Sequence, residues 1–201
     1  MIIVALTFFV LLIAAGARST PGVLMTPMEH DMGWTAATIS IAVAINIALF
    51  GLMGPFAAAL MQSIGVRKTI LLGLVVVSIS TAATAFVRTP LQLVLTWGIG
   101  VGAGVGMVGI VLAATVSTRW FVKRRGTVIG ILTAANATGQ LVFLPVLAMI
   151  AQNFGWRSVG LFIAATALIA VVPIAVFMRS RPEDVGLRAY GASDDKADDS
   201  P

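Results

Sequence analysis

Arg18 has the clearest potential for chemistry, because it is a charged side chain within a long apolar segment. A charge near the centre of a bilayer costs about 2.5–3.5 kcal/mol on insertion scales, so we expect Arg18 to face protein or a water-filled cavity. Its guanidinium group could bind the carboxylate of an anionic substrate in bidentate geometry. The alternative is a structural arginine, either bonded to carbonyls freed where residues 19–22, Ser-Thr-Pro-Gly, loosen the helix, or snorkelling to the interface.

Three amides near the middle of other apolar segments are candidate substrate contacts: Asn46, Asn136 and Gln140. Thr133, Asn136 and Gln140 are spaced at i, i+3 and i+7, so they share one face of a helix. We expect this polar face to be turned toward an interior cavity. The alternative is that the amides join neighbouring helices through hydrogen bonds, each worth about 0.6–2 kcal/mol.

The other chemistry-bearing residue types point away from catalysis. All eight Asp and Glu residues lie outside the apolar segments, which excludes a proton relay through a buried carboxylate and favours uniport or exchange of an anion. The chain has no cysteine and a single histidine, His30, between Glu29 and Asp31, so we expect no metal site and no cofactor. Phosphate-binding and catalytic motifs are absent, so we expect a protein that is not an enzyme.

The composition places these residues in a membrane. The chain has 201 residues, of which 59% are hydrophobic and only 10% are charged, whereas a soluble domain is about 25% charged. The net charge of +5 could suggest a nucleic-acid partner, but the positive charges lie between the apolar segments. They therefore indicate membrane topology, and we expect a lipid bilayer and no nucleic acid as the partner.

Six apolar segments are each long enough to cross a hydrocarbon core about 30 Å thick. The sequence therefore predicts an all-α membrane protein whose six transmembrane helices form one bundle over residues 1–180. Residues 181–201 are predicted to be a cytoplasmic tail, disordered from about residue 191, because the composition there is acidic and rich in small residues. The predicted spans are Ile2–Met28, Ala36–Gln62, Thr69–Val87, Leu91–Thr118, Thr127–Ala151 and Val159–Met178.

The basic residues between the spans predict the orientation of the bundle. Ten of them lie on one side and two, Arg88 and Arg157, lie on the other. By the positive-inside rule, both termini are cytoplasmic in a multi-pass protein of the cell (inner) membrane. Among the cytoplasmic connections, we favour a topogenic, lipid-contacting role over direct gating for the one at residues 119–126. Their candidate residues for either role are Gly65, Arg67, Lys68, Arg119, Arg124 and Arg125.

Two stretches ninety residues apart, Ile39–Arg67 and Ile129–Arg157, resemble each other. Ninety residues contain three spans, and an odd number of crossings inverts the second copy. The sequence therefore predicts a 3+3 inverted repeat, with one unit over about residues 1–88 and the other over about 91–178. Chance similarity between apolar helices is the alternative. The matched pairs are Asn46 and Asn136, Pro55 and Pro145, Gln62 and Gln152, Gly65 and Gly155, and Arg67 and Arg157.

The fourth apolar segment contains a row of glycines at every fourth position, Gly98, Gly102 and Gly106. Such rows allow two helices to approach backbone to backbone. A dinucleotide-binding function is excluded, because no strand precedes the glycines and no acidic residue follows at the required distance. We expect the row to serve helix packing.

Three stretches carry distinctive combinations of basic, glycine and aromatic residues: RWFVKRRGTVIGILTAANATGQ at residues 119–140, GWR at 155–157 and RSRPEDVGLRAYG at 179–191. These motifs resemble the major facilitator superfamily, and more narrowly its monocarboxylate-transporter and oxalate/formate-antiporter branch. ALMQSIGVRK at residues 59–68 is similar to the family's signature after the second span. It departs from that signature at Gln62, where the family has the aspartate of its gating charge relay.

The resemblance implies half of a twelve-span fold, with spans one and four facing a central cavity and Arg18 pointing at substrate. The function it implies is transport of a small, monocarboxylate-like organic anion by alternating access. A second half would be needed, as a homodimer or from another polypeptide. The alternative is a truncated half that does not transport, or a membrane interaction subunit.

Overall fold

Six long helices form the structure, which is a computed structural model that describes residues 2–180, 182–186 and 190–191. All six are long and apolar enough to cross a membrane, which confirms the predicted all-α membrane fold. Their ends lie within about four residues of the predicted spans, and most of the segment predicted to be disordered, residues 192–201, lies outside the described residues. The helices are α1 (Ile2–Met32), α2 (Ala36–Ser63), α3 (Val66–Thr84), α4 (Pro90–Trp120), α5 (Arg125–Phe154) and α6 (Trp156–Phe177).

α1 is continuous, contrary to the expectation that residues 19–22 loosen it. Pro21 has no N–H to donate to the carbonyl four residues earlier, which is that of Ala17. The hydroxyl group of Thr20 donates to this carbonyl instead. The helix therefore continues past Pro21 without interruption, and the carbonyl of Ala17 has a hydrogen-bond donor.

α4 is irregular along its length. It is π-helical over Val94–Val101. It is interrupted near its midpoint at Val108 and Gly109, between a stretch that ends at Met107 and one that begins at Ile110. Helix distortions of this kind are frequent at functional sites.

The glycine row of α4 lies against α2. A β-carbon at Gly98 would stand 3.2 Å from a backbone oxygen of α2, and one at Gly102 would stand 3.0 Å from the backbone of Asn46. At Gly106 the added carbon would lie 2.6 Å from the β-carbon of Met53. The three glycines thus allow α4 to contact α2 at backbone distance, as glycine rows do in membrane helices.

Helix contacts occur in matched pairs. α1 packs along α5, α2 packs along α4, and α3 packs along α6. A β-carbon at Gly16 would lie 2.6 Å from the ring of Phe143, and one at Gly106 would lie 2.6 Å from the side chain of Met53. Gly106 lies ninety residues after Gly16, and Met53 lies ninety residues before Phe143, so the two contacts occupy matching positions of the predicted repeat. An inverted repeat would produce such matched contacts, and the repeat with its boundaries remains a prediction.

α2 and α5 have the most exposed surfaces. Only 17% and 22% of the residues in their most apolar stretches are buried, against 39–56% in the other four helices. Most of this surface is apolar, which suits contact with lipid. α5 also exposes Thr133 and Gln140 within its apolar length, and polar side chains in a membrane need protein or water as their partner.

Candidate substrate cavity

A cavity of about 130 Å³ lies between α1, α2, α4 and α5. Its walls are mainly apolar, and its polar side chains are those of Arg18, Thr133 and Asn136. An apolar pocket with a few convergent polar groups is typical of a small-molecule site. The other lining residues are Leu11, Ala14, Ala15, Phe50, Val105, Gly109, Ile110, Ala113 and Leu132.

Arg18 lies near the midpoint of α1, and its half-buried side chain lines the cavity. Its guanidinium carbon is 4.1 Å from the centroid of the Phe50 ring, which is a cation–π contact. Among the described residues, the guanidinium group makes no hydrogen bond and no salt bridge. The structure therefore places at this cavity a cation that has no anionic partner among the described residues.

Close packing of α5 on α1 brings the other polar groups to this cavity. A β-carbon at Gly139 would lie 2.8 Å from the carbonyl oxygen of Leu12, so the absence of a side chain at Gly139 is required for the contact. The preceding two turns of α5 carry Thr133 and Asn136, which face the same cavity as Arg18. A hydroxyl group and an amide can each bond to an oxygen of a bound molecule.

The three predicted amides lie in different environments. Asn136 lines the cavity with Arg18, whereas Gln140 is exposed and does not line it. Asn46 is only 2% exposed, and its Nδ2 donates to the backbone oxygen of Trp97 at 2.9 Å, within the π-helical segment of α4. Of the amides predicted to contact substrate, the structure brings only Asn136 together with Arg18, and Asn46 joins two helices.

Two arginines of the connections bind the carboxyl ends of helices at the end of the bundle predicted to be cytoplasmic. Nη2 of Arg119 donates to the carbonyl of Met61 in the last turn of α2 at 3.3 Å. A guanidinium nitrogen of Arg67 donates to the carbonyl of Ala175 in the last turn of α6. The last carbonyls of a helix lack partners and carry its negative dipole end, so a cation is stabilising there.

The remaining connection residues differ in their exposure. Gly65 has a φ of +91°, and a β-carbon there would approach the hydroxyl oxygen of Ser180 at 2.8 Å, so both conformation and space favour glycine. Lys68, Arg124 and Arg125 are exposed. None of these three basic side chains forms a salt bridge with an acidic residue in the described ranges.

Two sets of contacts, those of Phe50 and those of Asp31, could not be predicted from the sequence. Phe50 is one of ten phenylalanines, and nothing in its neighbourhood marks it as the partner of Arg18. Asp31 forms a salt bridge with Arg157 at 2.7 Å and accepts a hydrogen bond from Nε1 of Trp156 at 2.9 Å. These two contacts join the end of α1 to the start of α6.

Within the described ranges, no group of three or more potential His, Asp or Glu ligands could hold a metal ion.

Comparison with known proteins identifies the family. The model of the Major Facilitator Superfamily matches residues 7–196, which is nearly the whole chain. The chain belongs to this superfamily. Human monocarboxylate transporter 14 is 27% identical over 166 residues, covering 81% of this chain and 32% of the relative. Mouse monocarboxylate transporter 11 is 30% identical over 139 residues, covering 69% of this chain and 29% of the relative.

A solved structure of the superfamily has the same fold. The proton:xylose symporter XylE, bound to 6-bromo-6-deoxy-D-glucose, matches with a TM-score of 0.79 at 16% identity. The match covers 90% of this chain and 45% of XylE. The chain spans about a third of the length of its monocarboxylate-transporter relatives. The 45% coverage of XylE agrees with the prediction that six helices make up half of a major facilitator fold.

Proposed function

We propose that the chain forms half of a transporter that moves a small organic anion of the monocarboxylate class by alternating access. The observation that carries this proposal is the guanidinium group of Arg18, which lines the cavity between α1, α2, α4 and α5 and has no acidic partner among the described residues. A cation held at mid-membrane without its own counter-ion attracts an anion strongly, because the surroundings screen its charge poorly.

The lining of the cavity favours a small anion over a cation. Among the described residues it includes Arg18 and no carboxylate. Thr133 and Asn136 can bond to the oxygen atoms of a carboxylate or of an adjacent keto or hydroxyl group. The apolar walls suit a short hydrocarbon chain, and the names of the monocarboxylate-transporter relatives agree with this substrate class.

The size of the cavity and the exposed surfaces support a complex of two halves. A volume of about 130 Å³ is below the roughly 300–1,000 Å³ of common ligand pockets. The exposed faces of α2 and α5, with Thr133 and Gln140 on α5, offer a surface that a second half would cover. We propose that a second six-helix half covers this surface, either a second copy of the chain or a half of different sequence, with both termini of the six-helix unit cytoplasmic in the cell membrane.

The second candidate is a half that does not transport, either a truncated product or an interaction subunit. The favouring observation is that the cavity, at about 130 Å³, is smaller than common ligand pockets. Light scattering of the purified protein in detergent tests the homodimer, because transport by this chain without another polypeptide requires two copies. A strict monomer with no uptake activity would exclude the homodimer and leave the second candidate or a half of different sequence.

Uptake of radiolabelled pyruvate into proteoliposomes tests the proposed function. We expect uptake by the wild type, and we expect Arg18→Ala to abolish it while the protein inserts normally. Arg18→Lys should retain part of the activity, because it keeps the charge but loses bidentate geometry. Equal uptake by wild type and Arg18→Ala would show that Arg18 is structural.

A further inference from the structure

We propose that Phe50 is the residue that positions Arg18 for anion binding, an inference that rests on the proposed function. The guanidinium carbon lies 4.1 Å from the centroid of the Phe50 ring, and both residues line the cavity between α1, α2, α4 and α5. The contact joins α1 to α2. Within the described ranges, this is the contact that stabilises the charge of Arg18.

An aromatic ring has an advantage over a carboxylate as the partner of a substrate-binding arginine. A carboxylate would neutralise the guanidinium group and occupy its N–H donors. The face of a ring attracts the cation through its quadrupole and offers no lone pair that would bind a guanidinium N–H as a carboxylate oxygen does. Phe50 thus stabilises the empty site and leaves both the charge and the donors of Arg18 available to an anion.

The glycine at the break in α4 makes room for this ring. A β-carbon at Gly109 would lie 2.8 Å from Cε2 and 3.3 Å from Cζ of Phe50. Gly109 stands at the interruption of α4 and also lines the cavity. Any larger residue there would displace the ring from its present position. Gly109, Phe50 and Arg18 therefore form a continuous series of contacts from α4 through α2 to α1.

Two measurements on the purified protein in lipid nanodiscs test the role of Phe50. The first is the NMR position of the Arg18 Nε–H signal in protein labelled with ¹⁵N-arginine, identified by its loss in Arg18→Lys. A guanidinium group stacked on a ring has a ring-current shift, which Phe50→Leu should remove and Phe50→Tyr should retain. The second is the dissociation constant for pyruvate, obtained by calorimetric titration.

We expect Phe50→Leu to weaken pyruvate binding about ten-fold and Phe50→Tyr to stay within about two-fold of the wild type. Gly109→Ala should weaken binding as well, and it should add little in the Phe50→Leu background, because both changes act through the same ring. Gly130→Ala is the matched control, since a β-carbon at Gly130 meets no atom within 4 Å.

The outcomes separate this inference from the proposed function. A wild type that binds no pyruvate would contradict the proposed function and with it the positioning role. A wild type that binds pyruvate, combined with unchanged affinity in Phe50→Leu, would overturn the role of Phe50 alone. Loss of affinity in Phe50→Tyr equal to that in Phe50→Leu would also overturn it, because the aromatic face is retained in the tyrosine variant.

Discussion

Replacing the glycines of α4 by alanine should destabilise the protein in a graded order, Gly106 most, then Gly102, then Gly98. The order follows the shortest distance from the added β-carbon to α2, which is 2.6 Å at Gly106, 3.0 Å at Gly102 and 3.2 Å at Gly98. At Gly106 the obstructing atom is a β-carbon, which cannot move without its backbone. The helix itself must therefore shift to relieve the contact.

Two opposing effects set the magnitude. Overpacking a close contact costs about 1–3 kcal/mol. Replacing glycine by alanine within a helix returns about 1 kcal/mol through higher helix propensity. We therefore expect a net loss of about 2 kcal/mol for Gly106→Ala and a change near zero for Gly98→Ala. Gly102→Ala should lie between them.

Reversible unfolding in mixed micelles, followed by far-UV circular dichroism, measures these free energies. The chain has four tryptophans, so intrinsic fluorescence provides a second probe, whereas thiol-reactive dyes cannot be used because cysteine is absent. Gly130→Ala is again the control, because a side chain there meets open space. Equal stability of Gly106→Ala and Gly130→Ala, or an order reversed along the row, would refute the packing argument.

Three further predictions concern residues outside the glycine row. Asn46→Leu should lower stability by about 0.6–2 kcal/mol and leave pyruvate affinity unchanged, whereas Asn136→Leu should weaken affinity. Calorimetry and unfolding of both variants test this contrast, and a loss of affinity in Asn46→Leu would contradict it. Arg119→Met removes the donor to the Met61 carbonyl and should lower the free energy of unfolding by about 1 kcal/mol in the same assay. An unchanged free energy of unfolding would contradict a stabilising role for this hydrogen bond. Asp31→Asn should lower the melting temperature at low salt, because it removes the charge that pairs with Arg157. The pair is exposed, so 1 M NaCl should screen it and largely remove the difference in melting temperature between variant and wild type. A difference that persists in high salt would contradict this prediction.

The helices could be predicted from the sequence because their signals are strong and local. Long apolar segments bounded by charges define transmembrane helices, since a membrane leaves the backbone few alternatives. The glycine spacing in α4 similarly predicted a packing face, and the structure places that face on α2. The course of α1 at Pro21 was not predictable in the same way. It depends on whether a neighbouring hydroxyl, here that of Thr20, takes up the unpaired carbonyl.

The site could be predicted only in part. Arg18 was identifiable because an intramembrane charge is expensive and therefore rare. Asn136 and Asn46 were indistinguishable, since both are mid-span amides at matched positions, and the difference between them depends on tertiary contacts. Phe50 was missed for a related reason. An aromatic residue in an apolar helix has no distinctive pattern, and its role depends on which cation lies above the ring.

The dissociation constant for pyruvate, measured by calorimetry on wild type, Arg18→Lys and Arg18→Ala, tests the central claim most directly. A charged hydrogen-bond pair contributes about 1.5–3 kcal/mol, so we predict that Arg18→Ala weakens binding by at least about ten-fold. Arg18→Lys should give an intermediate value, because the charge remains. Saturable binding of equal affinity in wild type and Arg18→Ala would contradict the claim that Arg18 binds the anion.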